Sequence, residues 1–493
     1  MLDMTYIKFI PIICIALVAP LFAVDADIEK RIQALRDLKI ENTTIDSVIY
    51  DEEAKPPCTK VKATLAPAPG SNIKVEVWLP DPAKWNKRFF GIGNGGAAGN
   101  INTSIFGWSV ADGFVIAGTD MGTSAGTHSG VNNCEVWRDF GYRATHLMTV
   151  VGKQIATAFY GEAPEFSYFR GESTGGQQAL QLAQRHPEDY DGIVAVVPAN
   201  YRTHIHAYFL WLDKVLRETP FTKEQEENVI AASKEYKSPS DLPEQFTGRL
   251  VIDPRSTAED IEAVIALVRK KDPSLTDEHA AALRKLYEGP RHADTGEIIM
   301  GGMPIGGAFF RDTAYHHYPL VWAFDGKKKP EDINFGEDMD RFISTMGPYL
   351  DAVNPDLSAF AKRGGKLIMV AGARDALIPF HAAIDYYERV IDHFGGSGEA
   401  GDALGKVQDF FRFYIVPDMG HGGGVDVKRA HVVKWREEGV APTTISGIHQ
   451  IPVPPYPAQP VWDKESNSWK SVVAPRGNVP RPAERFLMAP VMK

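Results

Sequence analysis

Two stretches of the chain have the form Gly-x-Ser-x-Gly: Gly122-Thr123-Ser124-Ala125-Gly126 and Gly171-Glu172-Ser173-Thr174-Gly175. Such a pattern can carry a nucleophile, because small flanking residues let a strand turn sharply into a helix and push the serine out of the sheet. The helix N-terminus behind it then favours negative charge. Context separates the two matches. Ser124 runs into Thr127-His128-Ser129-Gly130, where no helical pattern follows. Ser173 follows Phe166-Ser167-Tyr168-Phe169 and precedes a segment in which Ala179, Leu180 and Ala183 form one apolar stripe. Ser173 is therefore the expected nucleophile.

A serine hydroxyl needs a base, and the base an orienting acid. On a strand–turn–helix nucleophile the partners follow in the order Ser, Asp or Glu, His. Asp375 lies just after the apolar run 366–372, and His421 in Val416-Pro417-Asp418-Met419-Gly420-His421-Gly422 after the run 411–416. Both sit at carboxyl ends of strands, where α/β sites are built. His421 is the expected general base and Asp375 its partner. Asp418, three residues from His421, reads as a turn former, and His381, His393 and His431 fall inside helical patterns. Two backbone N–H groups must meet the developing oxyanion. Thr174 supplies one, and the glycine-rich loop 91–99, at Gly95 and Gly96, the other. No Lys-Ser or Lys-Thr pair follows that loop, so it does not read as a phosphate cradle. This chemistry calls for no cofactor and no metal.

The elements that must position these groups alternate. Strand patterns at 73–79, 89–93, 114–118, 166–169 and 193–197 interleave with helical patterns at 142–160 and 176–186, which implies a mostly parallel α/β sheet. From about residue 200 to 346 the chain reads as helical and irregular, with helices expected at 222–236, 257–270 and 276–287. Sheet signals then return at 366–372 and 411–416, around a helix at 381–394. The expected organisation is a signal segment over 1–26, a first core part over 27–200, a lid insertion over 201–346 and a second core part over 347–493. The last forty residues, rich in proline, read as a tail wrapped on the surface.

The chain has 493 residues and a formal charge of −10, which argues against an electrostatic nucleic-acid footprint. Residues 7–23 form an apolar run with one lysine, broken by two prolines. It is shorter than the ~20 residues needed to span a bilayer and reads as a secretory signal, so the protein is expected to be secreted or periplasmic, without stable membrane insertion. Cys14, Cys58 and Cys134 are too few and too scattered for a zinc site. Loss of the signal removes Cys14 and leaves Cys58 and Cys134 as an even pair in an oxidising compartment, so a disulfide between them is expected. It would stabilise the fold by at most roughly 4 kcal/mol.

Several segments together resemble the tannase and feruloyl esterase family. They are 89–99; Asp139-Phe140-Gly141-Tyr142-Arg143-Ala144-Thr145-His146; 168–176 with 183–193; 354–360 with 363–366; 417–424; and, inside the insertion, 287–290 and 295–296. The resemblance implies an α/β-hydrolase fold with a lid after the nucleophile-bearing half. It also implies serine-dependent hydrolysis of small aromatic esters such as those of ferulate or gallate, through an acyl-enzyme. In that family a cysteine before the serine is joined to one after the histidine; here Glu172 and Gly422 stand there. An acidic calcium loop like that of relatives is not evident in the lid. Phe310, Tyr315 and Trp322, in the densest aromatic cluster of the insertion, are expected to grip the acyl ring. A non-phenolic ester or lactone handled by the same residues, or a non-catalytic binding protein on this scaffold, are the rival functions.

Overall fold

In the computed structural model, which describes residues 26–310, 317–395, 400–423, 427 and 429–487, a nine-stranded sheet forms the centre of the molecule. Its strands are β1 (Thr43–Asp51), β2 (Cys58–Leu65), β3 (Ile73–Pro80), β4 (Arg88–Ile92), β5 (Phe114–Thr119), β6 (Phe166–Glu172), β7 (Gly192–Val196), β8 (Lys366–Gly372) and β9 (Phe411–Val416), in the spatial order β1-β2-β3-β5-β4-β6-β7-β8-β9. The first three strands and the β3–β5 pair are antiparallel; every pairing from β5 through β9 is parallel. The expected α/β class holds.

The parallel strands read as unbroken apolar runs because both of their faces are covered. Phe89, Phe169, Ile193, Leu367 and Phe413 point into one apolar layer. Their neighbours Phe90, Tyr168, Val194, Ile368 and Tyr414 point into the other. Period-two alternation thus survives as a choice between two cores rather than between core and water. At the antiparallel margin β3 alternates buried with half-buried residues, as one solvated face requires.

Between β7 and β8 the chain leaves the sheet for a largely helical segment. Its helices Lys223–Lys237, Ala258–Lys271 and Asp277–Glu288 each begin behind a threonine whose hydroxyl accepts from the third helical N–H, the reciprocal capping box being complete at Thr222, Thr257 and Thr276. A further helix, Arg202–Glu218, opens this segment and is not among those the sequence pattern predicts. Residues 202–210 are all buried, so a polar face marks its period only near the end, at Lys214, Arg217 and Glu218.

The tail is more ordered than a surface wrap. The short pair β10 (Ile445–Ser446) and β11 (Pro452–Val453) precedes a hairpin of β12 (Ala458–Asp463) and β13 (Ser468–Val473). Glu388, buried in the helix Phe380–Gly395, accepts from the Tyr456 hydroxyl at 2.7 Å and from the Gly477 N–H at 3.2 Å, which ties the tail to the core.

The expected disulfide is corrected: Cys58 and Cys134 are both free. Cys58 is buried at the start of β2, opposite Pro80, whereas Cys134 is exposed at the first turn of the short helix Cys134–Arg138. An even cysteine count says nothing of geometry, and a bridge needs Cα atoms within about 7 Å. The signal segment, with Cys14, lies outside the described residues, as does Tyr315. Burial pushes the Cys58 thiol up to about 11, leaving little of the reactive thiolate at neutral pH. A thiol reagent should therefore modify Cys134 in the native protein and Cys58 only after unfolding. Cys134→Ala should abolish the fast phase that Cys134 contributes; fast native labelling of Cys58 by peptide mass mapping contradicts this.

Candidate active site

The turn after β6 carries Ser173 at φ 60° and ψ −116°, the left-handed side where side chains are strained. The strain is held by the surroundings. Ser173 N donates to Val196 O at 3.0 Å, and its own carbonyl accepts from Ala199 N at 3.0 Å and Gln177 N at 3.1 Å. The helix Thr174–Arg185 starts at the next residue. Glycine is needed on both sides: a Cβ at Gly171 would lie 2.1 Å from Gly175 O.

The glycine-rich loop after β4 packs directly on this turn. Gly175 N donates to Asn94 O at 2.7 Å, and Asn94 N donates to Gln178 Oε1 at 2.8 Å. A Cβ at Gly93 would stand 2.6 Å from the Gly175 Cα, so backbone meets backbone with nothing between. Thr174 donates its hydroxyl to Gly96 O at 2.6 Å. Gly96, Ser173 and Thr174 thus share the wall of one narrow cleft with Ala199, Arg202, Ile205, His206, Phe209, Leu377 and Ile378. Gly95 is next in the same loop, with open space where a side chain would sit.

Asp375 is fully buried in the turn after β8. One oxygen accepts from the N–H groups of Leu377 and Ile378, both at 2.9 Å; the other lies 2.9 Å from His421 Nδ1. With both oxygens committed the carboxylate has one orientation, and it fixes the imidazole, whose side chain is 27% exposed. Tyr208 supports this turn from the inserted segment, its hydroxyl donating to Ala376 O at 2.9 Å. The competing acid is otherwise engaged: Asp418 pairs with Arg374 at 2.6 Å and Lys234 at 3.1 Å.

Glu172 and Gly422, the residues beside Ser173 and His421, face one another, since a Cβ at Gly422 would lie 3.8 Å from Glu172 Oε2. Arg170 binds the other oxygen of Glu172. The nucleophile turn and the histidine loop are therefore adjacent without a covalent link. Ser124 is exposed on a loop that leads to a single turn of 3₁₀ helix and does not line the cleft.

The lid aromatics divide. Phe310 is partly buried against Phe209, ring centroids 6.0 Å apart, and so backs a cleft residue rather than facing the cleft. Trp322 corrects the expectation of a substrate contact. It is fully buried, donates its indole N–H to Thr127 O at 2.6 Å and packs against Phe140 and Tyr318. Its bulk belongs to the core between the insertion and the 127–143 segment. The cleft residues missed in the sequence, Arg202, Ile205, His206 and Phe209, follow one helical face of Arg202–Glu218; their spacing of three and four was the available signal.

Among the described residues one group of candidate metal ligands gathers within 4.8 Å: His146, His186 and Asp189. The two imidazoles stack 3.6 Å apart at 11°, so their in-plane lone pairs run side by side instead of converging on one point. Asp189 lies 2.8 Å from His146 Nδ1, and the arrangement locks the helix Ala144–Tyr160 to the turn before β7.

A family model described as tannase and feruloyl esterase matches residues 58–325 and 331–472. An uncharacterized esterase from Xanthomonas campestris pv. campestris is 28% identical over 88% of this chain and 87% of its own length. Feruloyl esterase B from Aspergillus niger is 28% identical over 79% of each chain. Two solved structures share the fold. Feruloyl esterase B from Aspergillus oryzae has a TM-score of 0.74 at 22% identity and covers 91% of this chain and 100% of its own. Tannin acyl hydrolase from Aspergillus niger has 0.72 at 19%, covering 90% and 94%.

Burial shapes the pH response. It drives His204 and His381 down to about 3 and His186 to about 4. It pushes Asp351 up to about 7, against the two hydrogen bonds from Thr203. Each histidine is neutral when folded but takes a proton when unfolded below about 6.5, so its stabilisation is present above that pH and lost as pH falls. Asp351 has the opposite sign between about 4 and 7, and three histidines outweigh it. Stability should fall from pH 7 to pH 5. His381→Leu should narrow the gap between the melting temperatures at these pH values, removing about 1.4 kcal/mol per pH unit. An unchanged gap rules out His381 as a source.

Proposed function

Since the chain belongs to the tannase and feruloyl esterase family and is a carboxylic ester hydrolase, we propose that it cleaves esters of aromatic acids through an acyl-enzyme on Ser173. The observation that carries this reading is the strained Ser173 turn at the cleft, whose neighbour Glu172 faces Gly422 next to His421, with buried Asp375 holding the imidazole.

In this reading His421 takes the Ser173 hydroxyl proton as Oγ bonds to the ester carbonyl carbon, and Asp375 stabilises the imidazolium. The carbonyl oxygen becomes an anion received by the N–H groups of Thr174 and of the loop at Gly95 and Gly96. The intermediate collapses, the C–O bond to the alcohol breaks, and His421 returns its proton to the leaving oxygen. Water, deprotonated by His421, then repeats the attack and releases the acid and free Ser173.

The acyl side is read from the walls. Ile205, Phe209, Leu377 and Ile378 give the cleft flat apolar surface suited to a ring, with Phe310 behind Phe209. Relatives named for feruloyl and tannin esters support the same choice. The helix Arg202–Glu218 opens the inserted segment and walls the cleft, which supports reading 201–346 as a lid. The apolar run 7–23 supports export.

A fluorophosphonate should add one adduct to wild type, at Ser173. Ser173→Ala should lose at least about a thousandfold in kcat on methyl ferulate, methyl gallate and p-nitrophenyl acetate. Turnover of Ser173→Ala at the wild-type rate refutes the nucleophile. A kcat/KM for methyl butyrate above that for both aromatic esters moves the substrate to the non-aromatic class.

A further inference from the structure

Arg202 begins the helix that walls the cleft, and it is 5% exposed. Its guanidinium reaches the two segments assigned to the oxyanion. Nη1 and Nη2 donate to Thr174 Oγ1 at 3.1 and 3.0 Å, and Nη2 donates to Gly96 O at 3.1 Å and to the Tyr318 hydroxyl at 2.5 Å. Thr174 Oγ1 in turn donates to Gly96 O, so cation, hydroxyl and carbonyl close a three-membered ring of hydrogen bonds. The guanidinium also lies 5.2 Å from the centroid of the Phe140 ring.

Every one of these acceptors is neutral. Among the described residues the guanidinium's hydrogen-bond acceptors include no carboxylate, and its Nε has no acceptor. Asp351, beside this helix start in space, accepts from the Thr203 N–H and hydroxyl and from the Arg202 N–H, and its carboxyl group feels the Arg202 charge without touching the guanidinium. Taking a charge out of water costs several kcal/mol, repaid only by good partners. Thr174, Gly96 and Tyr318 are a poor return for a guanidinium if stability is the only gain. Next to an ester carbon that passes through an anion, a buried cation with no carboxylate in direct contact has a second use. It is preorganised, costs no reorganisation during the reaction, and acts across a poorly solvated gap.

We propose that Arg202 is a positioning residue for the oxyanion hole. Its fork clamps the Thr174 side chain to the Gly96 carbonyl and so fixes the two backbone segments whose N–H groups meet the oxyanion. Its charge, which no carboxylate touches, favours the tetrahedral anion over the neutral ester. This rests on the Ser173 reading above. Since the clamp acts on the transition state more than on the bound ester, kcat should carry the effect and KM should not.

The test uses the full chain with p-nitrophenyl acetate and the fluorophosphonate. Arg202→Met should lower kcat at least thirtyfold with KM changed less than threefold and the melting temperature not lowered, because a costly buried charge is gone. Arg202→Lys, which keeps charge but not the fork, should fall between wild type and Arg202→Met. Thr174→Val, which removes the bridging hydroxyl and keeps the charge, should lower kcat about tenfold, and it decides the clamp should Arg202→Met not fold. Wild-type kcat in Arg202→Met, or a loss that tracks a falling melting temperature across both Arg202 variants, overturns the proposal. Wild-type protein that is not labelled at Ser173 overturns the reading beneath it. Labelled wild type with an indifferent Arg202→Met sinks the Arg202 proposal alone.

Discussion

The site depends on one seam, where the glycine-rich loop after β4 lies directly on the turn after β6. Gly93 and Gly175 approach so closely that a single methyl on Gly93 would overlap the Gly175 Cα, and Gly175 N is bonded to Asn94 O. That approach is possible because β4 and β6 are hydrogen-bonded neighbours in parallel register, Ile92 opposite Arg170, so both chains leave the sheet at the same edge and height. It holds the turn in a conformation that Ser173 would not adopt alone, a strain of order 1–3 kcal/mol that the surrounding bonds absorb. The seam therefore creates both the raised serine and, on its far side, the shared wall of Gly96 and Thr174.

The second support is lateral. β8 and β9 extend the parallel run beyond β7 and deliver Asp375 and His421 at the same edge. Asp375 is not merely near the histidine. Its other oxygen is consumed by two successive N–H groups of its own turn, so the turn and the imidazole define each other. The inserted segment then closes the assembly from outside. Tyr208 holds the Asp375 turn, Lys234 reaches Asp418 in the loop before His421, and Arg202 reaches the wall formed by Gly96 and Thr174. One excursion of the chain thus contacts all three segments on which the proposed chemistry rests.

How much of this was legible in the sequence follows from how local each cause is. The strands β3 to β9 and their helices show as short apolar runs and stripes, because burial on two faces is written into consecutive residues. The capped helices at Thr222, Thr257 and Thr276 show for the same reason: their start signals are contained within four residues. Ser173, Asp375 and His421 could be placed because each follows a strand pattern. The helix Arg202–Glu218 is harder to see, because residues 202–210 are all buried among other helices and only Lys214, Arg217 and Glu218 near its end are exposed to mark a polar face. Trp322 was misread for a related reason. An aromatic cluster looks alike whether it faces a ligand or a core, and only the bond to Thr127 O and the close packing on Gly130 show which. The cysteines failed because pairing is a matter of distance, and count carries none.

The same logic bears on the place where this chain departs from the pattern of the relatives it resembles. Where a covalent tie would join the residue before Ser173 to the residue after His421, Glu172 and Gly422 stand close but unlinked, and Glu172 is turned toward Arg170. The histidine loop must then be located by other forces, and they can be named. Asp418 takes a left-handed φ of 56° and is gripped by Arg374 and Lys234, while its N–H donates to Val251 O at 3.0 Å. Arg374 adds a bond to Gly306 O at 2.8 Å. The loop is thus fastened to the inserted segment on one side and to the Asp375 turn on the other. A disulfide restricts the unfolded chain as much as it shapes the folded one; these ion pairs and backbone bonds act only in the folded state. The position of His421 is therefore coupled to the docking of the inserted segment. A perturbation that loosens residues 234–306 from the core would be felt at the imidazole before it is felt at Ser173, whose turn is held by the sheet itself.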